Sequence, residues 1–303
     1  MPFAETSRAG VAAEGAGPAL RVVRAGNPGP FTGPGTNTFL VGRGEVAVID
    51  PGPDLADHAA AILSALAPGE RITRILVTHA HADHSGLAPR LRAATGAPVL
   101  AFGDALSGRS PVMARLAAEG LSGGGEGLDL SFRPDQAIGE GAVVEGPGWR
   151  IETLHLPGHS AGHLGFAWDG RLFIGDAVMG WSSSLVSPPD GDMGAYMGTL
   201  ERLASGGWQE LVPAHGDPVA DPAARLAELA AHRRGREAAI LAALGSRTLD
   251  LAGIAAAVYA GTPAGLMPAA RRNAFAHLVA LWERGRVEAL PVLAADALFR
   301  RIG

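Results

Sequence analysis

The sequence predicts an α/β fold: two clusters of strands flanked by helices, then a small, mainly helical module of winged-helix type. Three observations carry this. Apolar runs of four to seven residues, bounded by Gly and Pro, alternate with helical periodicity early in the chain. A second group of such runs lies at 149–174. From Asp221-Pro222 onward the chain turns helical, Asp as an N-cap and Pro at the first helical position. We therefore expect one domain over 1–225 and a second over 226–303.

Leu20–Ala25, Asn37–Val41 and Val46–Asp50 read as strands between Gly/Pro turns. Asp54–Ala67 reads as a helix ended by Pro68-Gly69, with Ile62, Leu63 and Leu66 at helical spacing. Ile72–Thr78, with Ile72, Ile75, Leu76 and Val77, is expected to be a buried strand. A helix is expected over about Ser85–Ala94, and a strand at Pro98–Phe102. Arg109–Gly141, which contains Gly-Gly-Gly at 123–125, carries no clear period and is expected to be a mobile surface excursion. Trp149–His155, Leu164–Trp168 and Arg171–Ile174 form the second strand set. A helix at Met193–Ala204 and a short strand at Glu210–Pro213 follow. Helices are expected at about Pro222–Leu244, Leu249–Tyr259 and Pro268–Gly285, with a closing strand at Arg286–Leu290.

Composition excludes several chemistries. All basic residues are Arg and Lys is absent, so neither a Schiff-base lysine nor a P-loop lysine is available. Cys is absent too, which removes disulfides, thiolate ligands and thiol nucleophiles. Any metal must be held by His and carboxylates. A net charge of −5 argues against a dedicated polyanion binder. No apolar run is long enough to span a bilayer, and Met1–Gly17 lacks the apolar stretch of a signal peptide. A cytoplasmic protein without membrane contact is expected, its oligomeric state open.

The strongest chemical signal is Thr78-His79-Ala80-His81-Ala82-Asp83-His84-Ser85-Gly86, directly after a buried strand. Four candidate ligands, His79, His81, Asp83 and His84, stand in six residues. The small residues between them let the backbone bend tightly. Alternation aims His79 and His81 the same way, as one ion with ligand nitrogens at about 2.0–2.1 Å requires. Three more polar groups follow expected strand ends: His159 in Leu156-Pro157-Gly158-His159, Asp176 after Gly175, and His215 before Gly216. Singly these are ordinary turns; together they complete a two-metal set.

On these residues the chain resembles the metallo-β-lactamase superfamily, which carries a His-x-His-x-Asp-His loop followed by His, Asp and His. The resemblance covers about residues 20–225. It implies an αβ/βα four-layer sandwich with the site at one edge. It also implies that His79, His81 and His159 hold a first metal, that Asp83, His84 and His215 hold a second, and that Asp176 bridges both. The expected cofactor is two divalent ions, Zn²⁺ first, with Mn²⁺ or Fe also suited to His/Asp ligands. The expected chemistry is hydrolysis by a hydroxide bridging the two ions, with Asp83 orienting it. Asp176 and the lack of Cys disfavour a penicillin-hydrolysing member, and His81 disfavours the flavin-partnered di-iron reductases.

Met267-Pro268-Ala269-Ala270-Arg271-Arg272-Asn273, Gly285-Arg286-Val287 and Gly35-Thr36-Asn37-Thr38 resemble the lactamase-beta-2-like subgroup, which adds a C-terminal winged-helix-like domain. That subgroup leaves two substrate classes open. One is a small ester, thioester or lactone, which the acidic chain favours. The alternative is single-stranded RNA cut by a metal-dependent endoribonuclease. A third reading is a nucleic-acid-binding module using Arg233, Arg234, Arg236, Arg271, Arg272, Arg284 and Arg286; we expect these instead on a solvated helix face. Ser182–Ser184 and Trp181 are candidates for the pocket. His163 could orient a ligand, His155 and His277 are expected to pack, and His58 and His232 are placed on helix surfaces without a role.

Overall fold

A computed structural model describes residues 20–123 and 127–303. The expected Gly-Gly-Gly excursion therefore lies partly, and Met1–Gly17 wholly, outside the described residues. The elements run β1 (Leu20–Arg24), β2 (Asn37–Val41), β3 (Glu45–Ile49), α1 (Ala56–Ser64), β4 (Arg71–Leu76), α2 (Ala82–Ser85), α3 (Ala88–Thr95), β5 (Val99–Ala101), α4 (Pro111–Ala118) and β6 (Gln136–Ala137). The second half follows with β7 (Val143–Gly146), β8 (Trp149–His155), β9 (Leu164–Trp168), β10 (Arg171–Gly175), α5 (Met193–Ala204), β11 (Glu210–Pro213) and α6 (Pro222–Leu244). The chain closes with β12 (Thr248–Asp250), α7 (Leu251–Val258), α8 (Met267–Glu283), β13 (Val287–Leu290) and β14 (Leu298–Arg301).

Strand alternation builds the layers. One sheet has the order β1-β2-β3-β4-β5-β6, the other β11-β10-β9-β8-β7. Phe39, Val41, Ala47, Ile49 and Leu76 of the first face Ile151, Leu164, Phe166, Phe173 and Val212 of the second, forming the apolar centre of a sandwich. Their neighbours one residue away point outward, as period-two geometry demands. Leu40, Val46, Val48 and Ile75 pack with Ile62 of α1 and Leu91 of α3. Leu172, Ile174 and Leu211 pack under Tyr196, Leu200 and Leu203 of α5 and Leu226 and Leu229 of α6. The result is four layers, helix-sheet-sheet-helix. Among the described residues, no helix is long and apolar enough to cross a membrane.

The C-terminal helices α6, α7 and α8 pack with the three-stranded sheet β12-β14-β13. The expected start of α6 is met: the Asp221 carboxylate accepts from the Ala224 N–H at 3.0 Å, with Pro222 in the first turn. Two expectations need correction. Arg109–Gly141 is not a bare excursion. It carries α4, whose Val112, Met113 and Leu116 are buried against Ile240, Phe275 and Leu278. The partners of that helix lie more than a hundred residues downstream, so its local pattern gave no hint. The helix expected from Ser85 is two pieces, α2 and α3, divided at Gly86-Leu87.

Candidate metal centre

The side chains converge because their strands end together. β3 and β4 are parallel neighbours in one sheet, and β10 and β11 are parallel neighbours in the other. Their C-terminal ends deliver Asp50, His79, Asp176 and His215 to one edge of the sandwich. The turn after β4 brings His81 to the N-cap of α2, and α2 supplies Asp83 and His84. The loop after β8 supplies His159. All seven predicted residues meet: His79, His81 and His159 form one group, His79, His84 and Asp176 another, and Asp83, His84 and His215 a third. Within each group the candidate ligand atoms lie within 4.8 Å of one another.

The geometry orients lone pairs inward. His79 Nε2 lies 3.0 Å and His159 Nε2 3.2 Å from His81 Nδ1. His159 Nδ1 donates to the Leu185 carbonyl at 2.6 Å, which leaves Nε2 free for a cation. The Thr78 hydroxyl donates to Asp50 Oδ2 at 2.8 Å and faces His79 Nδ1 at 3.0 Å, so it can accept from that nitrogen and leave His79 Nε2 bare. The Asp176 carboxylate spans the groups: Oδ1 is 3.5 Å from His84 Nε2 and 3.3 Å from His215 Nε2, and Oδ2 is 3.7 Å from His159 Nε2. His215 Nε2 also lies 3.2 Å from Asp83 Oδ2.

Two orphaned atoms test whether a metal fits. His84 Nε2 and Asp176 Oδ1 are buried and have no hydrogen-bond partner. Leaving such groups unpaired is costly, and both face the space a second cation would fill. The electrostatics agree. Burial drives His81 down to about 3 and His79 well below the usual imidazole range, with neighbouring imidazoles adding to it; this favours the neutral form that a ligand needs. Burial would lower His84 as well, but Asp83, Asp176 and Asp50 outweigh it and raise the group well above its ordinary value. The same contest lifts His215 to about 9, through Asp176 and Asp83. Burial would raise Asp83, yet His84 and His215 hold it at about 2. Carboxylates so concentrated favour positive charge, which divalent ions supply on displacing the imidazole protons.

Sequence reasoning missed Asp50. Its carboxylate accepts from the Thr78 N–H at 2.7 Å and from His84 Nδ1 at 3.0 Å, and so fixes two metal-site elements at once. An aspartate ending a strand is a common turn signal, and only the fold pairs it with His84. His163 is buried, accepts from the Asp176 N–H at 3.2 Å and stacks on His79 with centroids 4.9 Å apart. A side chain at Gly175 would come within 2.7 Å of His163 Nε2, which accounts for glycine beside Asp176. His58 is corrected: it is buried, with Nε2 2.9 Å from Thr38 Oγ1. His155 is half-buried, its Nε2 2.9 Å from the Ala161 carbonyl.

A cavity of about 660 Å³ opens over this cluster, with His81, Asp83, His159, Asp176 and His215 at its wall. Trp181, Ser182 and Ser183 line it, as do residues of α6 and α8 from the C-terminal module. The arginines considered for a nucleic-acid face do not act as one set. Arg233 is buried, Arg236 donates to the Val258 carbonyl, Arg284 pairs with Glu237, and Arg272 is bonded to Ser122, Ser187 and Pro188.

Comparison with known proteins agrees with this geometry. Residues 31–223 match the Metallo-beta-lactamase superfamily and residues 251–291 the Beta-lactamase associated winged helix domain. An atrochrysone carboxyl ACP thioesterase of Aspergillus chevalieri is 34% identical over 232 residues, 74% of this chain and 66% of the relative. The lactamase-like protein adaB of Aspergillus niger is 33% identical over 226 residues, 72% of this chain and 62% of the relative. The chain thus spans under two thirds of the length of these relatives. A crystal structure of a beta-lactamase domain protein from Burkholderia ambifaria superposes with a TM-score of 0.76 at 24% identity, covering 93% of this chain and 91% of the other. A metallo-beta-lactamase family protein from Thermus thermophilus gives 0.73 at 24%, covering 93% and 98%, and likewise speaks for the fold. Family match and His/Asp groups together support a metal-dependent hydrolase. By its matched domains, its four-layer sandwich and its relatives, the chain belongs to the metallo-beta-lactamase superfamily and carries a beta-lactamase associated winged helix domain after the sandwich.

Proposed function

We propose that this chain is a binuclear metal-dependent hydrolase that cleaves small acyl thioesters, with esters and lactones as related substrates. One observation carries the reading: the two oxygens of Asp176 reach toward two separate imidazole groups on the floor of a cavity. His79, His81 and His159 would hold one ion, Asp83, His84 and His215 the other, and Asp176 would join them. Zn²⁺ is the ion we assign first, with Mn²⁺ or Fe compatible with the same donors. Bound divalent ions supply an activated water at neutral pH and polarise an acyl carbonyl. The chain's own residues do the rest. Asp83, held ionised, accepts a hydrogen bond from the attacking water and orients it. Phe31, Met179, Trp181 and Leu185 give the acyl group an apolar wall.

The thioester preference also rests on the name of the Aspergillus chevalieri relative. RNA is the less favoured substrate, because the chain carries a net charge of −5 and Arg272 and Arg284 are held by groups within the protein. The test compares metal-loaded protein on acyl N-acetylcysteamine thioesters, lactones, bis-p-nitrophenyl phosphate and single-stranded RNA. Thioester turnover at a kcat/KM at least a hundredfold above the phosphodiester is expected. Cleavage of RNA without thioester turnover, weakening steeply with salt, would overturn the assignment.

A further inference from the structure

Part of the wall of the cavity that holds the metal cluster comes from the C-terminal module, and it is cationic. His232, Arg233 and Arg236 of α6 line it together with Tyr259 and Asn273. Arg233 is only 2% exposed. A buried guanidinium normally faces a carboxylate, because an uncompensated charge is expensive to bury. Here its partners are all neutral: the Ser184 carbonyl, Asn273 Oδ1 at 3.2 Å and the face of Tyr196 at 5.2 Å. Its Nε has no partner at all. Arg236 donates to the Val258 carbonyl at 2.7 Å and lies over the Tyr259 ring at 4.5 Å. Among the described residues, neither guanidinium has an ion-pair partner. Burial lowers the His232 imidazole, and the neighbouring Arg233, Arg236 and Arg225 lower it further.

From this we infer that the C-terminal wall is a recognition subsite for an anionic group on the substrate, with Arg236 and Arg233 as its specificity-determining residues. Resting on the proposed acyl hydrolysis, this narrows its substrate to an acyl compound carrying a carboxylate or phosphate away from the scissile bond. The cluster of metal ligands and the cationic wall share one cavity, so a single small molecule can engage both. The anion supplies the counter-charge that the fold withholds from Arg233. Arg236, stacked on Tyr259, is held in place and loses little side-chain freedom on binding.

The test measures binding as well as turnover. Calorimetry on the metal-loaded Asp83→Asn protein compares glutaryl-N-acetylcysteamine, which carries a carboxylate on the acyl side, with neutral pentanoyl-N-acetylcysteamine. Pentanoyl-coenzyme A, which carries phosphates on the thiol side, is the second anionic arm. At least one anionic compound should bind tenfold or more tightly than the neutral one, and the arm that does so locates the anion. Adding Arg236→Gln should bring that ratio to about one, and Arg236→Lys should restore most of it. Equal affinity for all three compounds, or a ratio indifferent to Arg236→Gln, overturns the inference even where thioesters are hydrolysed. A preserved ratio without hydrolysis by the wild-type chain would instead sink the proposed reaction and leave the subsite standing. A single-stranded oligoribonucleotide that binds through Arg236 in preference to these compounds would also overturn it.

Discussion

Nδ1 of His84 donates to Oδ2 of Asp50 across 3.0 Å, and both side chains are buried. This bond fixes the ring so that Nε2 faces Asp83 and Asp176. Asp50 also accepts from the Thr78 N–H, and so ties the turn that presents His79. Asp50→Ala should weaken the affinity for the ion at His84 by roughly 10–100-fold, the usual effect of losing the partner that orients a ligand. Competition with a chelating dye measures this. Unchanged affinity for both ions would show that Asp50 does not position His84.

Asp83 separates binding from chemistry. Asp83→Asn leaves His79, His81, His159 and Asp176 in place, so at least one ion should be retained. Turnover should fall by roughly 10²–10⁴-fold, as expected when a group that handles a proton is lost. Metal analysis and steady-state rates on one preparation check both. Wild-type turnover in this variant would exclude Asp83 from orienting the water.

The sequence made most of this site legible because the ligands are spaced by local rules. His79, His81, Asp83 and His84 sit in one turn after an apolar strand, and His159, Asp176 and His215 each follow a strand end. The layers were legible too, since Phe39, Val41, Ala47 and Ile49 alternate with Leu40, Val46 and Val48. What escaped depends on residues distant in sequence. α4 is held by Ile240, Phe275 and Leu278, and His58 is buried by its contact with Thr38. The role of α6 in the cavity wall could not be read from its amphipathic pattern, because Arg233 looks like a solvated residue until Tyr196 and Ser184 enclose it.

The division expected at 225/226 falls within α6, and the C-terminal helices share a core with the sandwich. Leu226, Leu229, Ala276 and Ala280 are buried with Leu172, Ile174 and Leu200. Each large apolar side chain uncovered costs about 1.5–3 kcal/mol. A chain ending at residue 225 should therefore aggregate or melt well below the full-length protein in thermal unfolding. Equal melting temperatures would show that α6 and α8 add nothing to the stability of the sandwich.

His277 gives a pH prediction. Its ring is 1% exposed, neither nitrogen has a hydrogen-bond partner, and burial, then Arg233, pushes its pKa to about 3. In the unfolded chain the group titrates at 6.5. Between pH 6.5 and 3 the unfolded state binds the extra proton, so the contribution of His277 to stability is lost as pH falls through that window and is constant above it. Denaturation of wild type and His277→Leu across pH 4–8 checks this. Wild type should lose stability relative to the variant below about pH 6.5. Parallel curves throughout would mean that His277 titrates alike in the folded and unfolded protein.

The central claim is that Asp176 joins two metal sites. Metal titration of the apo protein, followed by mass-spectrometric analysis of bound Zn²⁺, tests it most directly. Two ions per chain are expected at saturation for the wild type. Asp176→Ala should bind both ions more weakly, because each loses one carboxylate oxygen. Saturation at a single ion in the wild type, or two ions held by Asp176→Ala with wild-type affinity, would contradict the claim.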